Sequence, residues 1–171
     1  MEKQNIYQDI SARTGGEIYL GVVGPVRSGK STFIKRFMEL LVLPEIKDEN
    51  ERKRTMDELP QSGTGKMVMT TEPKFIPKEA AELPMEDMKI KIRLIDCVGF
   101  MIPGAGGNLE NGQERLVKTP WFDYEVPFTK AAEFGTRKVI RDHSTIGILV
   151  TADGSFGEIP RDSYVEAEKK T

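Results

Sequence analysis

The stretch Gly24-Pro25-Val26-Arg27-Ser28-Gly29-Lys30-Ser31 sets two glycines five residues apart, followed by Lys and then Ser. That is the pattern of a phosphate-binding (Walker A) loop joining a strand to a helix. Both elements are legible in the flanking sequence. Upstream, Ile18-Tyr19-Leu20-Gly21-Val22-Val23 is a short apolar run rich in β-branched residues, as expected of a strand buried on both faces of a parallel sheet. Downstream, the spacing predicts a helix over Thr32 to Leu43, with Phe33, Phe37, Leu40 and Leu41 on one face and Pro44 as its stop.

Glycines let consecutive amides turn inward around a phosphate, and a helix starting near Lys30 adds unpaired N–H groups and the positive end of its dipole. The candidate nucleotide-binding residues are therefore Gly24, Arg27, Ser28, Gly29, Lys30, Ser31 and Thr32. Lys30 is expected to reach the outer phosphates and offset charge that develops in transfer, and the Ser31 hydroxyl to ligate Mg²⁺. Arg27 has two readings, an arginine that neutralises transition-state charge in cis or a solvent-facing one.

A chain of 171 residues suits one domain. Its 25 basic and 27 acidic residues leave a net charge of −2, which argues against nucleic acid as an obligate partner. No apolar run approaches the roughly 18 residues needed to span a bilayer, and Met1-Glu2-Lys3-Gln4 does not begin a signal peptide. A cytoplasmic protein is expected. One cysteine, Cys97, excludes an internal disulfide, and one histidine, His143, argues against a dedicated zinc site.

The second motif follows Lys89-Ile90-Lys91-Ile92-Arg93-Leu94-Ile95, which alternates and then becomes wholly apolar, a strand with one solvated face at its start. Asp96-Cys97-Val98-Gly99 then places a carboxylate at the strand's C-terminal end, where open α/β sheets carry their ligand sites. Asp96 can hold Mg²⁺ through water, and Gly99 lets a backbone amide approach a terminal phosphate. Between the motifs lie Thr70 and Thr71, candidates for the loop that offers Mg²⁺ and the terminal phosphate a hydroxyl and a carbonyl. Which of the two points inward stays open. Phe100 stands where Ras-like enzymes keep the glutamine that orients water, so unassisted turnover should be slow or depend on another group.

Elsewhere, residues 1–16 suggest a peripheral helix and a turn at Thr14-Gly15-Gly16, residues 45–59 a charged helix capped by Asp48, and residues 60–66 a mobile connector. A second strand is expected to be entered over residues 67–76. Residues 101–128 form a long glycine- and proline-punctuated insertion whose length suggests functional movement. Within it Trp121 and Phe122 either dock a partner or pack against the domain. Phe128 to Asp142 reads as a helix with Phe134, Val139 and Ile140 as core contacts and His143 at its end, Thr145 to Thr151 as another buried strand, and Asp162 to Lys170 as a charged helix. An NTPase sheet ordinarily continues past that strand, which would otherwise be an exposed edge, so the chain reads as truncated.

The stretches Arg13-Thr14-Gly15-Gly16-Glu17-Ile18-Tyr19-Leu20-Gly21-Val22-Val23-Gly24, Met69-Thr70-Thr71-Glu72-Pro73-Lys74-Phe75, Asp96-Cys97-Val98-Gly99, and Gly135-Thr136-Arg137-Lys138-Val139-Ile140 with His143-Ser144-Thr145 resemble the stage IV sporulation protein A family. These are the spore coat morphogenetic ATPases of endospore-forming bacteria. The resemblance covers essentially the whole chain. It implies the N-terminal part of a longer protein: an incomplete α/β P-loop NTPase domain over residues 1–171, with a doubly wound, mostly parallel sheet similar to translation-factor-type GTPases and cut before the last strands. It further implies ATP rather than GTP, with hydrolysis linked to self-polymerisation into the coat's basement layer on the forespore outer surface. Lys30 matches the family's phosphate-loop lysine, Asp96 its Mg²⁺-side aspartate, and Thr70 and Thr71 its sensor threonines. Implied partners are further copies of the protein, other coat proteins, and the forespore membrane through a small amphipathic peptide.

The residue patterns themselves leave adenine and guanine open. Two rival readings are a regulatory GTPase switch and a nucleotide-binding interaction module without turnover. A small-molecule phosphotransferase fits least, because no arginine-rich lid follows the phosphate loop.

Overall fold

The computed structural model describes residues 12–61, 71–85, 88–155 and 159–171. A four-stranded sheet organises it, in the order β2 (Lys74–Met85), β3 (Met88–Asp96), β1 (Glu17–Val23), β8 (Ile146–Leu149). β1 pairs in parallel with both β3 and β8, while β2 runs antiparallel to β3 with an irregularity between Ile76 and Ala81. The fold is therefore a mixed α/β one in which three parallel strands carry an antiparallel edge strand.

Helical segments cover both faces. Alternation along the strands decides which residues go where. Leu20, Val22, Ile92 and Leu94 meet Ile34, Met38 and Val42, which belong to α1 (Lys30–Phe37) and its continuation. On the other face, Val23, Ile95 and Cys97 meet Val139, just beyond α3 (Phe128–Lys138). The approach there is close, since a Cβ on Gly21 would fall 1.9 Å from Ser144 Oγ and 2.9 Å from Val139. A third cluster joins Val26, Phe100, Ile102 and Ala105 to Tyr164 and Ala167 of α4 (Asp162–Lys169).

The helix after the glycine loop departs from expectation. Regular α-helix ends at Phe37 and passes into a π-helical turn, Met38–Val42, and then a 3₁₀ turn, Leu43–Glu45, that contains Pro44. The core stripe is Ile34, Met38 and Val42, all fully buried, whereas Leu40 is 69% and Leu41 55% exposed. A steady four-residue spacing outruns the 3.6-residue α-turn, and the wider π turn keeps Met38 and Val42 on the core side. Phe33 and Phe37 flank this stripe half-buried, with ring centroids 6.0 Å apart. The expected apolar face was thus displaced from the real one.

Between Val42 and β2 lies α2 (Glu49–Asp57), capped as expected by Asp48, whose carboxylate accepts a hydrogen bond from the Glu51 amide at 2.7 Å. The insertion is not irregular loop. It folds into two small antiparallel pairs, β4 (Leu109–Glu110) with β5 (Gln113–Glu114) and β6 (Leu116–Thr119) with β7 (Phe122–Pro127). Trp121 and Phe122 pack on Phe134 of α3, with centroids 5.2 and 5.0 Å from it, so packing is their use. α3 ends in a second π-helical turn, Val139–His143, and His143 at its end sits edge-on to Phe75 at 5.7 Å. β8 is shorter and more exposed than the expected buried strand, with Ile146 41% and Leu149 51% exposed, because it is the terminal strand of the sheet. Of the expected helix and turn in residues 1–16, residues 12–14 are helical and 15–16 form the turn, while residues 1–11, most of the 60–66 connector and the entry over residues 67–70 lie outside the described residues. Among the described residues, no helix is long and apolar enough to cross a membrane.

The displaced face can be tested by truncation. Ile34→Ala should lower stability by about 2–5 kcal/mol, and Leu40→Ala by under about 0.5 kcal/mol. The denaturation midpoints of the two variants separate these outcomes.

Candidate functional site

The site is set by register. Val22 of β1 lies opposite Asp96 of β3, so the C-terminal ends of the two strands emerge side by side. Beyond them the chains stay fastened, since Pro25 and Phe100 form a parallel bridge, Val26 N–H donates to the Phe100 carbonyl at 2.9 Å, and Phe100 N–H donates to the Gly24 carbonyl at 3.2 Å. Two glycines are required by this closeness. A Cβ on Gly24, at φ +134°, would lie 2.2 Å from the Val150 carbonyl oxygen; one on Gly99, at φ +96°, would lie 2.3 Å from the Gly24 carbonyl oxygen and 2.6 Å from Lys30 Nζ.

α1 begins at Lys30, as the loop pattern predicts, with Gly29 as its left-handed N-cap. No side chain caps this end and its first turn carries no acidic residue. The first-turn amides therefore meet neither an intrahelical acceptor nor a competing anion from the cap, the arrangement that suits phosphate. Within the loop, Arg27 is exposed at φ +58°, Thr32 is exposed, and the Ser28 hydroxyl is buried without a hydrogen-bond partner.

Three side chains converge at the helix start. Lys30 is only 5% exposed, and its ammonium donates to the Pro25 carbonyl at 2.5 Å. Burial pushes its pKa down, against the opposing fields of Cys97 and Asp96. The Ser31 hydroxyl donates to Asp96 Oδ2 at 3.0 Å. Asp96 Oδ1 is buried with no partner. Burial holds the Asp96 carboxyl above the ordinary carboxylate range, and the Ser31 hydrogen bond and the charge of Lys30 pull it back only in part.

This donor set fits Mg²⁺. A hydroxyl and a carboxylate side by side, with one carboxylate oxygen unspent, match an ion that keeps waters and takes few protein ligands. No group of three or more His, Cys, Asp or Glu that could cage a metal occurs among the described residues.

The other expected site residues fare differently. Thr71 is buried and its carbonyl faces Gly135 of α3, where a Cβ would come within 2.7 Å; Thr70 lies outside the described residues. The Gly99 amide does not stand free for a phosphate, because it donates to Thr136 Oγ1 at 3.1 Å. Phe100 is fully buried in the strap between the loops. Thr136 is the residue that sequence reasoning missed. Its only signal was the spacing of small residues Ala131, Ala132, Gly135 and Thr136, which marks a close-packed helix face. An open cleft of about 420 Å³ beside Glu114, Lys130, Phe134 and Arg137 touches none of the expected site residues.

Removing the ionisable group at Asp96 has a calculable sign. A carboxyl raised by folding leaves stability fully present below its unfolded value, and that stability is lost as pH rises through the folded one. Nucleotide-free Asp96→Asn should therefore melt above the parent at pH 7, and thermal scans should show the difference closing as pH falls below about 4.

Residues 1–171 match the family model described as stage IV sporulation protein A, ATPase domain. Proteins named stage IV sporulation protein A from Bacillus anthracis and Bacillus subtilis (strain 168) are 55% and 56% identical over 171 residues, covering 99% of this chain and 35% of each relative. The protein of that name from Clostridioides difficile (strain 630) is 58% identical over 167 residues, 97% of this chain and 34% of its own length. The chain thus spans about a third of the length of these curated relatives. No solved structure matches it. With strand, glycine loop, helix and strand-end aspartate in place and the match running from the first residue to the last, the chain belongs to the stage IV sporulation protein A family, in its ATPase domain.

Proposed function

We propose that this chain is a P-loop ATPase domain that binds Mg-ATP at Gly24 to Thr32 and hydrolyses it to drive self-assembly of the spore coat basement layer. The observation that carries the reading is the Ser31–Asp96 hydrogen bond at 3.0 Å, with a second, unspent Asp96 oxygen, at the uncapped start of the helix that follows the glycine loop. When bound, Mg²⁺ supplies charge neutralisation and geometry to the phosphates. Ser31 and Asp96 are the residues that hold it, Asp96 through water.

Lys30 supports the same reading. A buried ammonium whose nearest acceptor is a neutral carbonyl has much to gain from an anion. On binding, Lys30 turns from Pro25 to the outer phosphates. The loop amides, with Gly24, Ser28 and Gly29, cradle the inner phosphates; Arg27 and Thr32 border them. Thr70 and Thr71 sense the terminal phosphate, and Gly99 offers it an amide. The family's description as an ATPase favours adenine. Further copies of the protein, other coat proteins and, indirectly, the forespore membrane through an amphipathic peptide are the proposed partners, which places the protein in the cytoplasm at the forespore outer surface.

The test is equilibrium binding of fluorescent ATP and GTP with Mg²⁺ to the full-length protein, with sedimentation of polymer followed in time. ATP should bind selectively, and Lys30→Ala should weaken it about 10- to 100-fold, the worth of hydrogen bonds to a charged group, with polymer growth lost. A guanine preference without polymer would replace this reading with a regulatory GTPase, and the absence of nucleotide binding would end both.

A further inference from the structure

The Gly99 amide, expected to be open to a terminal phosphate, is already engaged. It donates to Thr136 Oγ1 at 3.1 Å, while the Thr136 hydroxyl donates its own proton to the Ala132 carbonyl at 2.8 Å. Thr136 is fully buried, so water replaces neither bond. With its one proton committed to Ala132, the hydroxyl can meet Gly99 only as an acceptor, the role a phosphate oxygen would take. The two acceptors therefore compete for one N–H.

The surroundings give that competition a site. Gly99 touches the phosphate loop, its hypothetical Cβ falling 2.6 Å from Lys30 Nζ. The neighbour of Thr136 on α3, Gly135, backs the carbonyl of Thr71. One turn of α3 thus supports both the strand-end glycine and the threonine segment, and a change at either is felt by the same helix.

We propose that Thr136 is a positioning residue that holds the Gly99 amide in the nucleotide-free and ADP-bound domain and yields it to the terminal phosphate of ATP. Thr136 then sets the ratio of ATP to ADP affinity and links the phosphate state to α3. ADP lacks the terminal phosphate and leaves the bond to Thr136 intact. The inference rests on the nucleotide reading above and adds to it a residue on a different element.

The experiment compares dissociation constants for ADP and for a non-hydrolysable ATP analogue, both with Mg²⁺, in the full-length parent, Thr136→Val and Thr136→Ser. Thr136→Val keeps the shape and removes the hydroxyl acceptor, so Gly99 N–H is left with only the weak acceptor Cys97 Sγ except where a terminal phosphate satisfies it. The analogue should gain about tenfold over ADP, the cost of one buried amide without a strong acceptor, and Thr136→Ser should restore the parent's ratio. Should Thr136→Val fail to fold, Thr136→Ala carries the same comparison. A residue that serves packing alone shifts both nucleotides together, and an unchanged ratio in a folded variant overturns the proposal while leaving nucleotide binding standing. A parent that binds neither nucleotide overturns both.

Discussion

Parallel pairing of β1 with β3, in the register that sets Val22 opposite Asp96, is the constraint on which the site depends. Each strand brings half of it. One releases the glycine loop and the start of α1; the other ends on the carboxylate that receives the Ser31 hydroxyl. Side chains alternate along a strand, so a slip of one residue would turn Asp96 to the opposite face of the sheet and part it from Ser31. The bridge between Pro25 and Phe100 extends the pairing past the strand ends, and Gly24 and Gly99 are what permit it.

That closeness is bought with unsatisfied chemistry. Lys30 is buried against a backbone carbonyl, and Asp96 keeps an oxygen and Ser28 a hydroxyl that no described residue engages. Buried polar groups are ordinarily paired, and those left over cost stability in proportion to their charge. At the site itself three such groups, an ammonium with a neutral acceptor, a carboxylate oxygen and a hydroxyl, lie within one loop and one strand end. A phosphate chain with its cation, as proposed above, would satisfy all three.

Packing on the two faces is uneven in kind. α1 gives the first face large side chains in a four-residue stripe, and the chain widens into a π turn to maintain it. α3 instead presents Ala131, Ala132, Gly135 and Thr136, small residues that let the helix come close to the loops carrying Thr71 and Gly99. Close approach trades apolar burial for hydrogen bonds between elements. It also makes α3 the element that would register a movement of either loop.

Elements whose signals are local were legible from the residues alone. Glycine spacing before Lys30, β-branched runs at residues 18–23 and 89–95, the Asp48 cap and the strand-end Asp96 all reflect backbone conformation, capping or period, which a short window contains. Which helix face is core was settled by packing between elements, which buries Ile34, Met38 and Val42 and leaves Leu40 and Leu41 exposed. The insertion's two small antiparallel pairs likewise depend on partners that a single window does not hold. So does the bond between Gly99 and Thr136, 37 residues apart. Such contacts are settled by which surfaces meet, and a threonine in a helix carries no local mark of the amide that will reach it.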